Sequence, residues 1–206
     1  MTEQTIAAFT PSGNDDEIAY GGTVGDLNND GLLDIVLAAR NDGSRLFVAD
    51  GTGGYTRPEA SGAVTGLASS DSRYAHPTLL DLNLDGRLDL IAPEGNDFIN
   101  NGNYHLRNTG VATGTRKGIT LELTGKNKAA PASGKDAFGA RVQVTAGGIT
   151  QTRQVLPGMG NARRLHFGLG SATSGIAIKI YWPDSTTPQT LSGDAYLNSI
   201  LRVSQP

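Results

Sequence analysis

Short apolar runs separated by glycine-rich or polar turns dominate the chain. In the first half, strand-like runs lie near Asp34–Ala39, Arg45–Ala49, Asp89–Ala92 and Asn103–Arg107. In the second half, alternating segments recur at Ile119–Leu123, Ala140–Val144, Thr150–Val155, Arg164–Phe167, Ile176–Trp182 and Ile200–Val203. No segment has the spacing of an amphipathic helix. The pattern predicts an all-β protein with many turns.

Two of the predicted strands begin at the end of the same nine-residue motif, D-x-N-x-D-G-x-x-D. The first copy spans Asp26–Asp34 and the second spans Asp81–Asp89, so the copies start 55 residues apart. A repeat of that length holds about four short strands, the size of one β-propeller blade. We therefore predict two propeller-blade-like repeats in the first half, followed by a small β-sandwich or barrel-like domain.

The motif places oxygen side chains at positions 1, 3, 5 and 9 of a tight turn, with glycine at position 6. Calcium takes about six to eight oxygen ligands, and glycine permits the sharp bend. Position 7 supplies only its backbone carbonyl. Three carboxylates give each loop a formal charge of about −3, which is self-repelling without a cation. The sequence thus predicts two Ca²⁺ sites, with the ligands Asp26, Asn28, Asp30, Leu32 and Asp34 in the first loop and Asp81, Asn83, Asp85, Arg87 and Asp89 in the second.

Two other interpretations of the motif can be compared with this one. A solvated turn is the simpler alternative, because Asp, Asn and Gly favour turns for local reasons, but the repetition of the whole pattern argues against it. An EF-hand would need flanking helices and a glutamate at position 12. Position 12 is Leu37 in the first copy and Ala92 in the second, and β-forming residues follow each loop.

Charge divides the chain into two regions of opposite sign. Residues 1–110 contain 16 acidic and 6 basic residues, whereas residues 111–206 contain 4 acidic and 11 basic residues. Such a split predicts two regions with different roles: repeats over 1–110, a linker at 111–116 and a β domain over 117–206. The chain has no cysteine, which excludes disulfides and thiolate sites. No stretch has the length of a membrane-spanning helix, and residues 1–9 do not have the pattern of a signal peptide.

The motif copies resemble the calcium loops of FG-GAP repeats, also called VCBS or integrin-α-like repeats. The second half resembles the ASPIC/UnbV domain through three pieces in family order: Ala137–Val142 (AFGARV), Leu165–Gly170 (LHFGLG) and Trp182–Asp184 (WPD). The tandem order is that of the cartilage-acidic-protein family and its bacterial relatives. The resemblance implies a secreted or periplasmic calcium-binding protein of adhesion or matrix type, and some bacterial relatives sit in natural-product gene clusters.

Three functions are compatible with these observations. The leading prediction is a calcium-stabilised recognition or adhesion module without intrinsic catalysis, which binds an unidentified protein or glycan. A calcium-dependent cyclase or lyase is the second, although its candidate groups show no recognisable spacing: Tyr74, His76, Glu94, His105 and His166. The third is a homo-oligomer that completes a β assembly between chains, because two blades cannot close a propeller of about four to eight. Aromatic and basic residues are not interleaved as in nucleic-acid-binding surfaces.

Overall fold

The computed structural model describes residues 19–39, 45–57, 76–93, 103–109, 116–126, 135–157 and 164–206. Fourteen strands occur in these ranges: β1 (Ala19–Gly25), β2 (Asp34–Ala39), β3 (Arg45–Ala49), β4 (Tyr55–Thr56), β5 (Thr78–Leu80), β6 (Asp89–Pro93), β7 (Asn103–Leu106), β8 (Lys117–Thr124), β9 (Arg141–Ala146), β10 (Ile149–Gln154), β11 (Arg164–Gly170), β12 (Ala177–Tyr181), β13 (Gln189–Ser192) and β14 (Ser199–Ser204). A 3-10 helix spans Asp194–Tyr196. The predicted all-β class is confirmed. Among the described residues, no helix is long and apolar enough to cross a bilayer.

The chain forms two compact units whose boundaries cut through the repeated motifs. The first unit comprises Met1–Leu27, Leu32–Leu80 and Asp89–Thr109, and the second comprises Asn28–Gly31, Asp81–Leu88 and Gly110–Pro206. The tips of both motif loops therefore group with the second half of the chain. The predicted linker at 111–116 lies outside the described residues apart from Arg116, and the predicted domain boundaries stay predictions.

The first unit contains two small antiparallel sheets of matching design. Strands β1 to β4 form one sheet in sequence order, and β5, β6 and β7 form the other in sequence order. In each sheet, a motif loop joins the first two strands. The last residue of the motif begins the second strand, so Asp34 pairs with Gly25 and Asp89 pairs with Leu80. The two sheets are the predicted blade-like repeats.

The second unit contains a four-stranded sheet and a three-stranded sheet that enclose one apolar core. The strand order is β10-β9-β12-β13 in the larger sheet and β11-β8-β14 in the smaller. All pairings are antiparallel except that β14 runs parallel to β8. Buried and exposed residues alternate along β9 and β12, as expected for strands with one face on a core. This arrangement is the predicted sandwich-like domain.

The three segments that resemble the ASPIC/UnbV domain lie mainly in this core. Ala137, Ala140 and Phe167 are fully buried, residues 165–169 of β11 are all buried, and Trp182 is almost fully buried. Trp182 Nε1 donates a hydrogen bond of 2.9 Å to Gln189 Oε1. Ala137 and Gly139 adopt left-handed backbone conformations. These segments therefore specify packing and turns of the second unit.

Candidate metal centres

The two motif loops share one backbone conformation. Positive φ angles occur at position 4 of both copies, Asn29 (57°) and Leu84 (61°), and at position 6 of both copies, Gly31 (94°) and Gly86 (82°). Glycine and asparagine tolerate this region, whereas a leucine there is strained by about 1–2 kcal/mol. The sequence repeat is thus a structural repeat, and Leu84 carries the strain that Asn29 and the glycines avoid.

Matching hydrogen bonds hold positions 3 and 5 of each loop together. Asn28 Nδ2 donates to Asp30 Oδ2 at 2.9 Å, and Asn83 Nδ2 donates to Asp85 Oδ2 at 2.8 Å. The backbone N–H of each aspartate donates back to the side-chain Oδ1 of the asparagine, at 3.0 Å in the first loop and 3.2 Å in the second. Both loops therefore curl so that the oxygen-bearing side chains at these positions face one another.

The aspartates at position 9 link each loop to the rest of its own sheet. Asp34 accepts hydrogen bonds from the backbone N–H groups of Leu27 at 2.8 Å and Ala49 at 3.0 Å. Asp89 accepts a bond of 2.8 Å from the backbone N–H of Asn108. Both side chains are 0% exposed. Backbone N–H groups of the same unit therefore hold both buried carboxylates.

The aspartates at position 1 are also buried, Asp26 at 1% exposure and Asp81 at 7%. Asp81 accepts backbone hydrogen bonds from Asp85 at 3.0 Å and from Gly86 at 2.9 Å. Burial raises the pKa of the Asp81 carboxyl above its ordinary value, and the neighbouring Asp85 charge adds to the rise, while the backbone bonds oppose it. Buried carboxylates are costly unless they are paired or coordinate a cation.

The two loops differ at position 7. Arg87 extends its guanidinium to Asp85, with Nη2 2.6 Å from Oδ2, whereas the same position of the first loop is Leu32. The second loop thus contains a cation of its own that partly neutralises one predicted ligand. Within the described residues, no three Asp, Glu or His side chains converge as ligands of one metal ion. The chemistry of the donor set, oxygen atoms only and mostly buried carboxylates, nevertheless fits a hard cation such as Ca²⁺.

The histidines, by contrast, occupy separate positions. His166 lies on β11 in the second unit, where its Nε2 is 2.7 Å from Asn29 Oδ1. His105 lies on β7, with its Nε2 3.8 Å from Asp89 Oδ2. His76 precedes β5 with a positive φ of 48°. The other two candidate groups of the enzyme hypothesis, Tyr74 and Glu94, lie outside the described residues.

Asn29 was not among the predicted functional residues, because position 4 of the motif is not a ligand position. Its burial at 1% exposure and its contacts single it out in the structure. The available signal was that Asn29 stands at position 4, the one non-glycine position of the motif with a left-handed backbone.

Comparison with known families gives two matches in tandem. Residues 26–92 match the FG-GAP-like repeat, and residues 130–206 match the family described as ASPIC and UnbV. No curated protein shows significant similarity to the chain. FG-GAP repeats are typical of extracellular and periplasmic proteins, and this pair of domains indicates a β-rich module of recognition or adhesion type. The chain therefore has the architecture that its motifs predict, an FG-GAP-like repeat region followed by an ASPIC/UnbV domain.

Proposed function

We propose that the protein is a calcium-stabilised recognition module that binds one Ca²⁺ ion at each motif loop. The observation that carries the proposal is the repeated burial of carboxylates at positions 1 and 9, where Asp34 and Asp89 are 0% exposed. Two loops of the same conformation bury the same acidic positions, although an exposed turn would need no such burial. A divalent cation would offset the cost of removing these charges from water.

The residues that would hold the ion are those of the motif. In the first loop they are Asp26, Asn28, Asp30, the Leu32 carbonyl and Asp34, and in the second they are Asp81, Asn83, Asp85, the Arg87 carbonyl and Asp89. The bound ion supplies positive charge and fixes loop geometry. Asp34 accepts a backbone hydrogen bond from Ala49 on β3, and Asp89 accepts one from Asn108, two residues after β7. Ordering of either loop would therefore also stabilise the sheet that follows it.

The recognition role rests on the two family matches, which are typical of adhesion modules. We infer a protein or glycan ligand outside the cell or in the periplasm, with calcium holding the binding scaffold. An intrinsic catalytic role is not part of the proposal, since nothing in the described geometry favours the enzyme hypothesis over recognition.

Calcium titration calorimetry on chelator-stripped protein, with thermal melts at each end point, tests the proposal. Wild type should bind two ions with dissociation constants between about 10⁻⁶ and 10⁻³ M. Calcium at 100 times the dissociation constant should add about 2.7 kcal/mol per site to the free energy of unfolding. Asp26→Ala and Asp81→Ala should each remove one site and lower the melting temperature in calcium.

The matched control is Asp50→Asn. Asp50 lies in an exposed turn, where it accepts bonds from Thr52 and Gly54, and it belongs to neither motif. This variant should keep both calcium-binding events. If Asp26→Ala and Asp81→Ala melt like wild type at saturating calcium, the ions are not structural and the proposal fails.

A further inference from the structure

The Asn29 side chain joins the two loop tips directly. Its Nδ2 donates a hydrogen bond of 2.8 Å to the backbone carbonyl oxygen of Gly86. Asn29 lies between the proposed ligands Asn28 and Asp30, and Gly86 lies between Asp85 and Arg87. Each end of this hydrogen bond is therefore one residue away from two groups that would bind calcium.

Strand β11 sets the orientation of the Asn29 amide. Because Nδ2 donates to Gly86, Oδ1 must accept, and the partner at 2.7 Å is His166 Nε2. His166 Nε2 therefore carries the proton, and the unprotonated Nδ1 accepts from Thr120 Oγ1 at 3.2 Å. Asn29, His166 and Thr120 are all buried. A chain of buried hydrogen bonds with a single direction holds the amide in one orientation.

The hydrogen bonds from Asn29 to Gly86 and His166 form a bridge, and close packing around strand β8 leaves this bridge little freedom. A Cβ added at Gly118 would lie 2.6 Å from the Gly86 carbonyl oxygen, 2.8 Å from His166 Cε1 and 3.0 Å from Asn29 Nδ2. The backbone N–H of Gly170 donates a bond of 2.8 Å to the Asn29 carbonyl. Both loop tips are thus packed against one glycine, and a cavity of about 10 Å³ beside Asp81 has room for one water molecule at most.

We propose that the two loops bind calcium cooperatively and that the Asn29 side chain is the positioning residue that couples them. The inference rests on calcium binding at both loops, as proposed above. An ion in the first loop would order Asn28–Asp30 and with them the Asn29 amide. The amide would then hold the Gly86 peptide, so that the second loop needs less ordering when it binds its own ion.

Asn29→Gly is the test variant, because glycine accepts the φ of 57° and only the side chain is lost. Leu84→Gly is the matched control, since it makes the same type of change at position 4 of the second loop, where φ is 61° and the side chain is 54% exposed. Each full-length protein is titrated with Ca²⁺ in the calorimeter, with and without the additional change Asp81→Ala.

In the wild-type and Leu84→Gly backgrounds, Asp81→Ala should weaken calcium binding at the first loop by about two- to tenfold, the worth of one hydrogen bond. In the Asn29→Gly background, the same change should leave that affinity unaltered. If Asp81→Ala changes the first-loop affinity by the same factor in all three backgrounds, or in none of them, the coupling through Asn29 is overturned while calcium binding stays intact. An absence of calcium heat in wild type would overturn both the coupling and the proposed function.

Hydrogen–deuterium exchange in chelator examines the bridge without any metal. Backbone amides of residues 81–88 should exchange faster in Asn29→Gly than in wild type, and unchanged exchange would overturn the bridge itself. Should Asn29→Gly fail to fold, His166→Phe removes the hydrogen bond to the same amide and changes no residue of either loop. Reduced coupling is expected there, and wild-type coupling in His166→Phe would count against the proposal.

Discussion

Replacing Gly118 by alanine should create a steric clash at the point where strand β8 contacts both loop tips. The added methyl group would lie 2.6 Å from the Gly86 carbonyl oxygen, a backbone atom that cannot rotate away, and 2.8 Å from the buried His166 ring. Overpacking of this kind costs about 1–3 kcal/mol. Breaking the Asn29–Gly86 hydrogen bond adds about 0.5–1.5 kcal/mol, and the lower backbone entropy of alanine in the unfolded chain returns about 0.4–1 kcal/mol.

The net expectation for Gly118→Ala is a loss of about 0.5–4 kcal/mol in the free energy of unfolding. For a chain of 206 residues, this corresponds to a fall of about 1–16 °C in melting temperature. Urea denaturation in chelator, followed by the fluorescence of Trp182, the single tryptophan, measures the loss directly. Gly21→Ala on β1 is the milder control, because beyond its chain neighbours the nearest atom to its Cβ would be His76 Nδ1 at 3.3 Å.

Gly118→Ala should also interact with Asn29→Gly in a double-mutant cycle, since both changes act on the same bridge. The two losses should fall short of additivity by about 0.5 kcal/mol or more. A Gly118→Ala protein as stable as wild type to within about 0.5 kcal/mol would refute the close packing of the loop tips on β8. Simple additivity would show that the methyl group added at position 118 and the Asn29 side chain act on separate features.

Three further predictions concern Leu84, Arg87 and His166. Leu84→Asn should stabilise the protein by up to about 1 kcal/mol in urea melts, because asparagine tolerates the left-handed backbone; a loss would contradict the strain. Arg87→Leu, which gives the second loop the residue of the first, should tighten its calcium affinity in calorimetry, and weaker binding would argue against competition by the guanidinium. Burial, with the nearby Arg153 charge, lowers the pKa of His166 from 6.5 to about 4. As pH falls below 6.5, His166 is protonated in the unfolded chain but stays neutral in the folded protein. The free energy of unfolding therefore decreases towards pH 4 by up to about 1.4 kcal/mol per pH unit. In the non-titrating His166→Gln this part of the pH dependence should vanish, and an unchanged profile would assign it to other groups.

Much of the strand content could be predicted because apolar runs and turn residues alternate clearly. Strands β2 and β3 begin and end where the pattern placed them, and the six predicted strands of the second unit differ from the observed ones by at most three residues at either end. Strand β13 was not predicted. Strand β1 was not predicted, because its sequence AYGGTVG is rich in glycine and gives little alternation. Strands β4 and β5 are too short, at two and three residues, to produce a periodic signal.

The candidate sites were predictable as motifs but not as a connected pair. Identical spacing located both loops, since ligand positions within a turn are close in sequence. The bridge from Asn29 to Gly86 and His166 joins residues 57 and 137 positions apart. Local pattern carries no information about such pairs, which depend on where the loop tips pack. His166 was named in the sequence only as a candidate group of the enzyme hypothesis, and its hydrogen bond to Asn29 could not be foreseen.

The parallel pairing of β14 with β8 has a consequence for how the second unit is made. Ser199 pairs with Ile119, so the central strand of the three-stranded sheet gains its second neighbour from a segment 80 residues later. Closing so long a loop must precede any gain from the contacts it creates, and folding rates fall as such distant pairings increase. During synthesis, one edge of β8 therefore stays open until residues 199–204 have left the ribosome. Over that interval the nascent chain exposes an unpaired strand, the period in which a chaperone would protect it best.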